Sequence, residues 1–134
     1  MESTVLTIET GTRPRVVDIT EAATAFCRGQ GDGLLSAFVP HATAGLAIME
    51  VGAGSDDDLL KALGDLLPRD NRWRHRHGSP GHGADHVLPA IIAPSITVPV
   101  IANQLTLGTW QSLVLVDPNM DNPTRQLRLT FLPG

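Results

Sequence analysis

The sequence offers a single cysteine, Cys27, so no internal disulfide framework can staple it, and the scarcity fits a reducing, cytoplasmic setting. Long hydrophobic runs are missing as well: no segment approaches the ~20 apolar residues that span a bilayer. The opening MESTVLTIET has neither a basic n-region nor an apolar h-region, so no secretory leader is expected. Positive charge is sparse. The formal net charge is −4 and Lys61 is the only lysine, which argues against the broad basic face that nucleic acid requires. Familiar signatures are absent too, with no GxxxxGK[ST], GxGxxG, GxSxG or CxxC. Cys27 itself falls in a helical pattern with no histidine beside it and reads as packing.

What is present is enough for one folded domain spanning residues 1–134. The hydrophobic share of 42% and charged share of 18% are those of a globular chain that buries a core without staples. Thr4–Ile8 and Arg15–Ile19 read as strands around a GTRP turn. Asp18–Glu21 reads as a capping box that starts a short helix over Ala22–Cys27. LLSAFV and HATAGLAIME read as strands, with His41 at the head of the second and Glu50 at its end. Ser55 is placed to cap a helix whose first turn carries Asp56, Asp57 and Asp58. Leu59, Leu60, Leu63, Leu66 and Leu67 then repeat at helical spacing up to Pro68. VLPAIIAP suggests a short helix, and SITVPVIA, LTLGTWQSLVLVD and RQLRLTFL suggest three further strands. The expected class is therefore α+β, an antiparallel or mixed sheet with a few packed helices.

Four of the five histidines crowd into RWRHRHGSPGHGADH, residues 72–86, a stretch without apolar periodicity that reads as a long loop. Its glycines let the chain reverse, which brings His75 and His86 toward one another. His41 begins a strand where Ala42, Thr43, Ala44 and Gly45 leave open space. Three imidazoles from a strand and a loop suit a zinc-type site with one open position, although the spacings are not a zinc signature in themselves. Leu107–Gln111 sets Trp110 and Gln111 beside a glycine in an otherwise apolar run, which marks either a ligand wall or a core tryptophan. Asp18, Asp58, Asp117 and Asp121 are available carboxylates that no spacing pairs.

Taken together, PHATAGLAIME, the aspartate-led helix ending LLPRD, WRH, ADH, LTLGTWQSLVLVD and the arginine-bearing last strand resemble the YjbQ-like family, also called the secondary thiamine-phosphate synthase family. The resemblance runs from about residue 5 to Gly134. It implies an α+β homotrimer with a polar cleft, and it places the family's histidines on His41, His75 and His86, as ligands of a divalent metal such as zinc. Glu50, Asp117 and Arg125 fall on its catalytic positions, and Thr43, Thr109, Trp110 and Gln111 on the substrate side. The implied partner is a phosphorylated or anionic small molecule, met by a thiamine-phosphate synthase-like transferase or by a non-catalytic metal- or metabolite-binding trimer. Neither nucleic acid nor membrane is an expected partner. Two departures stand out: Met49 replaces the family's Asn, and His82 stands where the family often has Asn.

Overall fold

The computed structural model describes residues 1–118 and 120–134. Among these residues eight strands form two antiparallel sheets. The first holds β1 (Glu2–Glu9), β8 (Thr124–Pro133), β3 (Gly33–Phe38), β5 (Ser95–Ile101) and β6 (Gln104–Leu105), in that order. The second holds β2 (Arg15–Asp18), β7 (Ser112–Asp117) and β4 (Gly45–Met49). Three helices, α1 (Thr20–Cys27), α2 (Ser55–Leu66) and α3 (Gly83–Val87), pack around them, and Leu88–Ala90 forms a single 3₁₀ turn. Among the described residues no helix is long and apolar enough to cross a membrane.

The unbroken apolar run of β7 explains the layering. Leu113 and Leu115 point into a core shared with Leu35, Ala37, Leu127, Leu129, Phe131 and the α1 residues Ala23 and Cys27. Val114 and Val116 point the other way, onto Leu63, Leu67, Ala84 and Leu88. A strand buried on both faces cannot alternate polar and apolar residues, so it reads as a continuous hydrophobic run. The three-stranded sheet is therefore the middle layer, with the five-stranded sheet on one side and α2 and α3 on the other.

Local starts and stops differ from expectation in instructive ways. Asp18 accepts the N–H of Thr20 at 2.9 Å, so α1 begins at Thr20 on an aspartate turn rather than a reciprocal capping box. Gly54, at φ 100°, takes the capping position of α2 and pushes Ser55 into the helix, with Asp56, Asp57 and Asp58 in the first turn as expected. HATAGLAIME is strand only from Gly45, because His41–Ala44 turn inward first. In LTLGTWQSLVLVD, Leu105 ends β6 and the long strand begins only at Ser112. Gly108–Gln111 close a turn, in which Gln111 N–H donates to Gly108 O at 3.1 Å and Gly108 N–H to Gln111 Oε1 at 2.8 Å. Helix α3 starts at Gly83, inside the stretch whose glycines and prolines read as loop.

Candidate functional site

The histidine segment becomes a site because one glycine lets two pieces of chain touch. Gly83 opens α3 against the irregular passage at Trp73–His75, where a methyl group would overlap Trp73 Cβ and the His75 carbonyl. Trp73 is itself anchored, its indole N–H donating to Pro68 O at 2.7 Å while its ring packs on the second core. His75 is thereby held over α3. His82 and His86, four residues apart, lie on one face of that short helix.

Ligand atoms of His75, His82 and His86 all lie within 4.8 Å of one another. The ring centroids of His75 and His86 are 4.0 Å apart, and His77 leans on His75 at 3.9 Å, tilted by 56°, from the more exposed side. His82 Nε2 meets His86 Nε2 at 3.0 Å, and the buried Nδ1 of His75 has no hydrogen-bond partner. An orphaned imidazole nitrogen beside two converging ones is the donor set that a borderline cation such as Zn²⁺ takes. The residues therefore fit the metal that the family resemblance implies. Burial holds His82 and His86 below the ordinary histidine value; imidazole neighbours push the same way while Asp121 opposes at His82, and the net direction favours the neutral rings that ligate.

Carboxylates stand behind the rings. Asp121 Oδ2 lies 2.7 Å from His82 Nδ1, a close contact that is poorly aligned as a hydrogen bond, and Asp85 Oδ2 lies 3.6 Å from the same atom. Asp85 is buried and takes both Nη1 and Nη2 of Arg69, at 3.0 and 2.9 Å. Burial outweighs Arg69 and raises the Asp85 carboxyl to about 6. In front of His75 opens a cleft of about 280 Å³, lined also by Asp70, Asn71, Arg76, Gly78 and Ser79. The loop arginines are partly committed: Arg72 is clamped on Asp70, and Arg76 donates to the carbonyls of Trp73 and Asn71.

A second polar group forms elsewhere, and it claims several residues expected at the histidines. Arg125, 1% exposed, forks onto Asp117, 0% exposed, at 2.8 and 2.9 Å, and donates to Thr43 O at 3.3 Å. His41 belongs here: its Nε2 accepts the backbone N–H of Gln126 at 2.8 Å. Burial, with Arg125 as the next cause, holds its pKa below the usual value. The structure thus ties His41 Nε2 to β8, and the ligand atoms gathered around His75 and His86 are completed by His82. Thr43 is buried and serves Arg125 through its carbonyl. Glu50, Thr109, Trp110 and Gln111 are exposed, Trp110 by 74%, and none of them lines the cleft. His82, whose role the sequence left open, joins the cluster; its four-residue spacing from His86 was the available signal.

A family model described as UPF0047 protein YjbQ-like matches residues 4–134. A UPF0047 protein of Mycobacterium tuberculosis is 61% identical over 134 residues, covering 100% of both chains. A UPF0047 protein of Archaeoglobus fulgidus is 31% identical over 112 residues, 84% of this chain and 87% of its own. Among solved structures, a hypothetical protein from Aeropyrum pernix superposes with a TM-score of 0.89 at 31% identity, covering 100% of both chains. A YbjQ-like protein of unknown function from Sulfolobus solfataricus reaches a TM-score of 0.91 at 22% identity, covering 99% of this chain and 97% of its own, a likeness of fold.

Proposed function

The chain belongs to the YjbQ-like UPF0047 family, and from that premise we propose that His75, His82 and His86 hold a divalent cation, best matched by zinc, beside a cleft that receives a phosphorylated or otherwise anionic small molecule. The observation that carries this reading is the convergence of the three imidazoles within 4.8 Å, with the buried Nδ1 of His75 unpartnered. Bound there, the cation supplies positive charge and a coordination position for an oxyanion. The protein's own residues do the rest. α3 fixes two rings, the Trp73 anchor fixes the third, and Asp70, Asn71, Arg76 and Ser79 present polar groups along the cleft.

Thiamine-phosphate transfer needs cations on two phosphate-bearing reactants and on the departing pyrophosphate. Arg72 and Arg76 are turned to Asp70 and to carbonyls of their own loop, which favours the coarser function, metal-dependent binding of one anion. A non-catalytic role is the second reading. Asp85 and Asp121, the carboxylates nearest the triad, are engaged by Arg69 and by Ser79 with His82, rather than set beside an open position as a base.

Metal analysis of protein purified without a histidine tag tests the site. We expect about one equivalent per chain, lost on removal of His82 or His86, and a visible-spectrum change when inorganic phosphate is added to the Co²⁺ form. Protein that retains no metal, and whose His75, His82 and His86 resonances stay put on Zn²⁺ addition, overturns the reading. Self-association as a homotrimer is part of the same proposal. Leu34 and Leu132 are register partners on the outer face of the five-stranded sheet and are 41% and 52% exposed, surface that a second copy would cover. A monomer mass by light scattering at micromolar concentration overturns the assembly.

A further inference from the structure

Asp121 lies in the connection between β7 and β8, far in sequence from every histidine, and nothing in its spacing marks it. Yet its Oδ2 collects three groups of the histidine loop: the N–H of Ser79 at 3.3 Å, the Ser79 hydroxyl at 3.1 Å, and His82 Nδ1 at 2.7 Å. Gly78, at φ +83°, passes directly beneath, where a methyl group would sit 3.0 Å from Asp121 Oδ2 and 3.1 Å from the His82 ring. We propose that Asp121 is the positioning residue of the metal site: through His82 Nδ1 it fixes that ring's tautomer and aims Nε2 at the ligand point, while through Ser79 it ties the loop in place.

The chemistry follows from proton count. Although the contact is poorly aligned as a hydrogen bond, a carboxylate oxygen 2.7 Å from an imidazole nitrogen favours a proton on that nitrogen, since two lone pairs at that range repel. In a neutral ring the proton on Nδ1 leaves Nε2 bare. The Nε2 of His86 must then donate across the 3.0 Å gap until a cation displaces that proton. Carboxylates behind ligating histidines act in this way generally, and their removal weakens metal binding about 10–100-fold. Asp85 is a poorer candidate for the role, being 3.6 Å away and already taking two N–H groups of Arg69.

This inference rests on the metal reading, and the experiment separates the two. Asp121→Ala, Asp121→Asn and Ser79→Ala are compared with the natural chain by Zn²⁺ competition against a chromophoric chelator and by long-range ¹H–¹⁵N spectra of His82 in the metal-free protein. We expect His82 to be protonated on Nδ1 in the natural chain and to shift toward the Nε2–H form in Asp121→Ala, with a roughly 10–100-fold loss of Zn²⁺ affinity. Asp121→Asn, whose amide oxygen still accepts, should keep the tautomer and recover most of the affinity. Ser79→Ala should leave the tautomer alone. An unchanged tautomer and affinity in Asp121→Ala overturn the proposal. Should Asp121→Ala fail to fold, an Nε2–H tautomer in the natural chain or in the Asn variant overturns it equally. If the natural chain binds no Zn²⁺, the metal reading fails, while the tautomer shift still decides what Asp121 does.

Discussion

Arg125 and Asp117 meet as a two-pronged ion pair from which water is almost wholly excluded, with Nε to Oδ2 at 2.8 Å and Nη2 to Oδ1 at 2.9 Å. Such a pair contributes little net stability against an apolar replacement of both partners, yet removing one partner leaves a buried charge without its counterion. Arg125→Met alone should therefore cost about 3–5 kcal/mol in chemical denaturation. The double variant Arg125→Met/Asp117→Leu should recover much of that loss, and equal costs for single and double would show that packing, not charge, governs the position.

His41, His82 and His86 all sit below the ordinary histidine value, burial being the largest cause for each. Their folded forms bind fewer protons than the unfolded chain does around ~6.5. Their contribution is complete above that value and is lost as pH falls through it. Asp85 acts in the opposite sense, because its carboxyl is raised to about 6. What it contributes is present below its unfolded value and is lost as pH rises through about 6. Denaturant melts of metal-free protein from pH 8 to pH 5 should show stability declining below about 6.5, the slope easing once Asp85 takes up its proton. Stability that rises steadily over that range would contradict the burial of these rings.

Gly83→Ala places a methyl group into Trp73 and the His75 carbonyl. Overpacking of this kind costs about 1–3 kcal/mol. The contact also positions His75, so Zn²⁺ affinity should fall with stability. A variant that loses stability but binds metal unchanged would show that His75 does not depend on this contact.

His41→Ala should leave Zn²⁺ binding nearly intact, because His41 Nε2 is bonded to Gln126 N–H rather than turned to the triad. His82→Ala should abolish it at equimolar metal. The reverse outcome would return the site to the ligand set that the family resemblance implies, His41 with His75 and His86. Trp110→Ala, at a side chain 74% exposed, should change the stability of the isolated chain by no more than about 0.5 kcal/mol.

The sequence carried the strands and helices wherever a long apolar pattern existed. The leucine repeat of α2 and the apolar run of β7 are examples, each set by local period. It carried less of the site. His82 hid because a five-residue helix is too short to display a period, and Gly78, Pro80, Gly81 and Gly83 all read as breaks. The tie of His41 to a backbone N–H of β8 and the contacts of Asp121 were silent because they span long sequence separations. Trp110 read equally as a ligand wall or a core tryptophan from its apolar neighbours, and the Gly108 turn sets it outside the core, 74% exposed.

The order β1-β8-β3-β5-β6 sets β8 between two strands made long before it. A ribosome therefore releases β1 with no strand partner and β3 with one edge open once β5 has paired, and with the ground that Leu127, Leu129 and Phe131 will cover still bare. Pairings this distant in sequence form slowly, and open edges invite association with other chains in the meantime. Because Arg125 travels on β8, its charge enters the interior in the same step that closes the sheet. The nascent chain must wait for one strand, and that strand brings Arg125, the counterion of Asp117 on β7, with it.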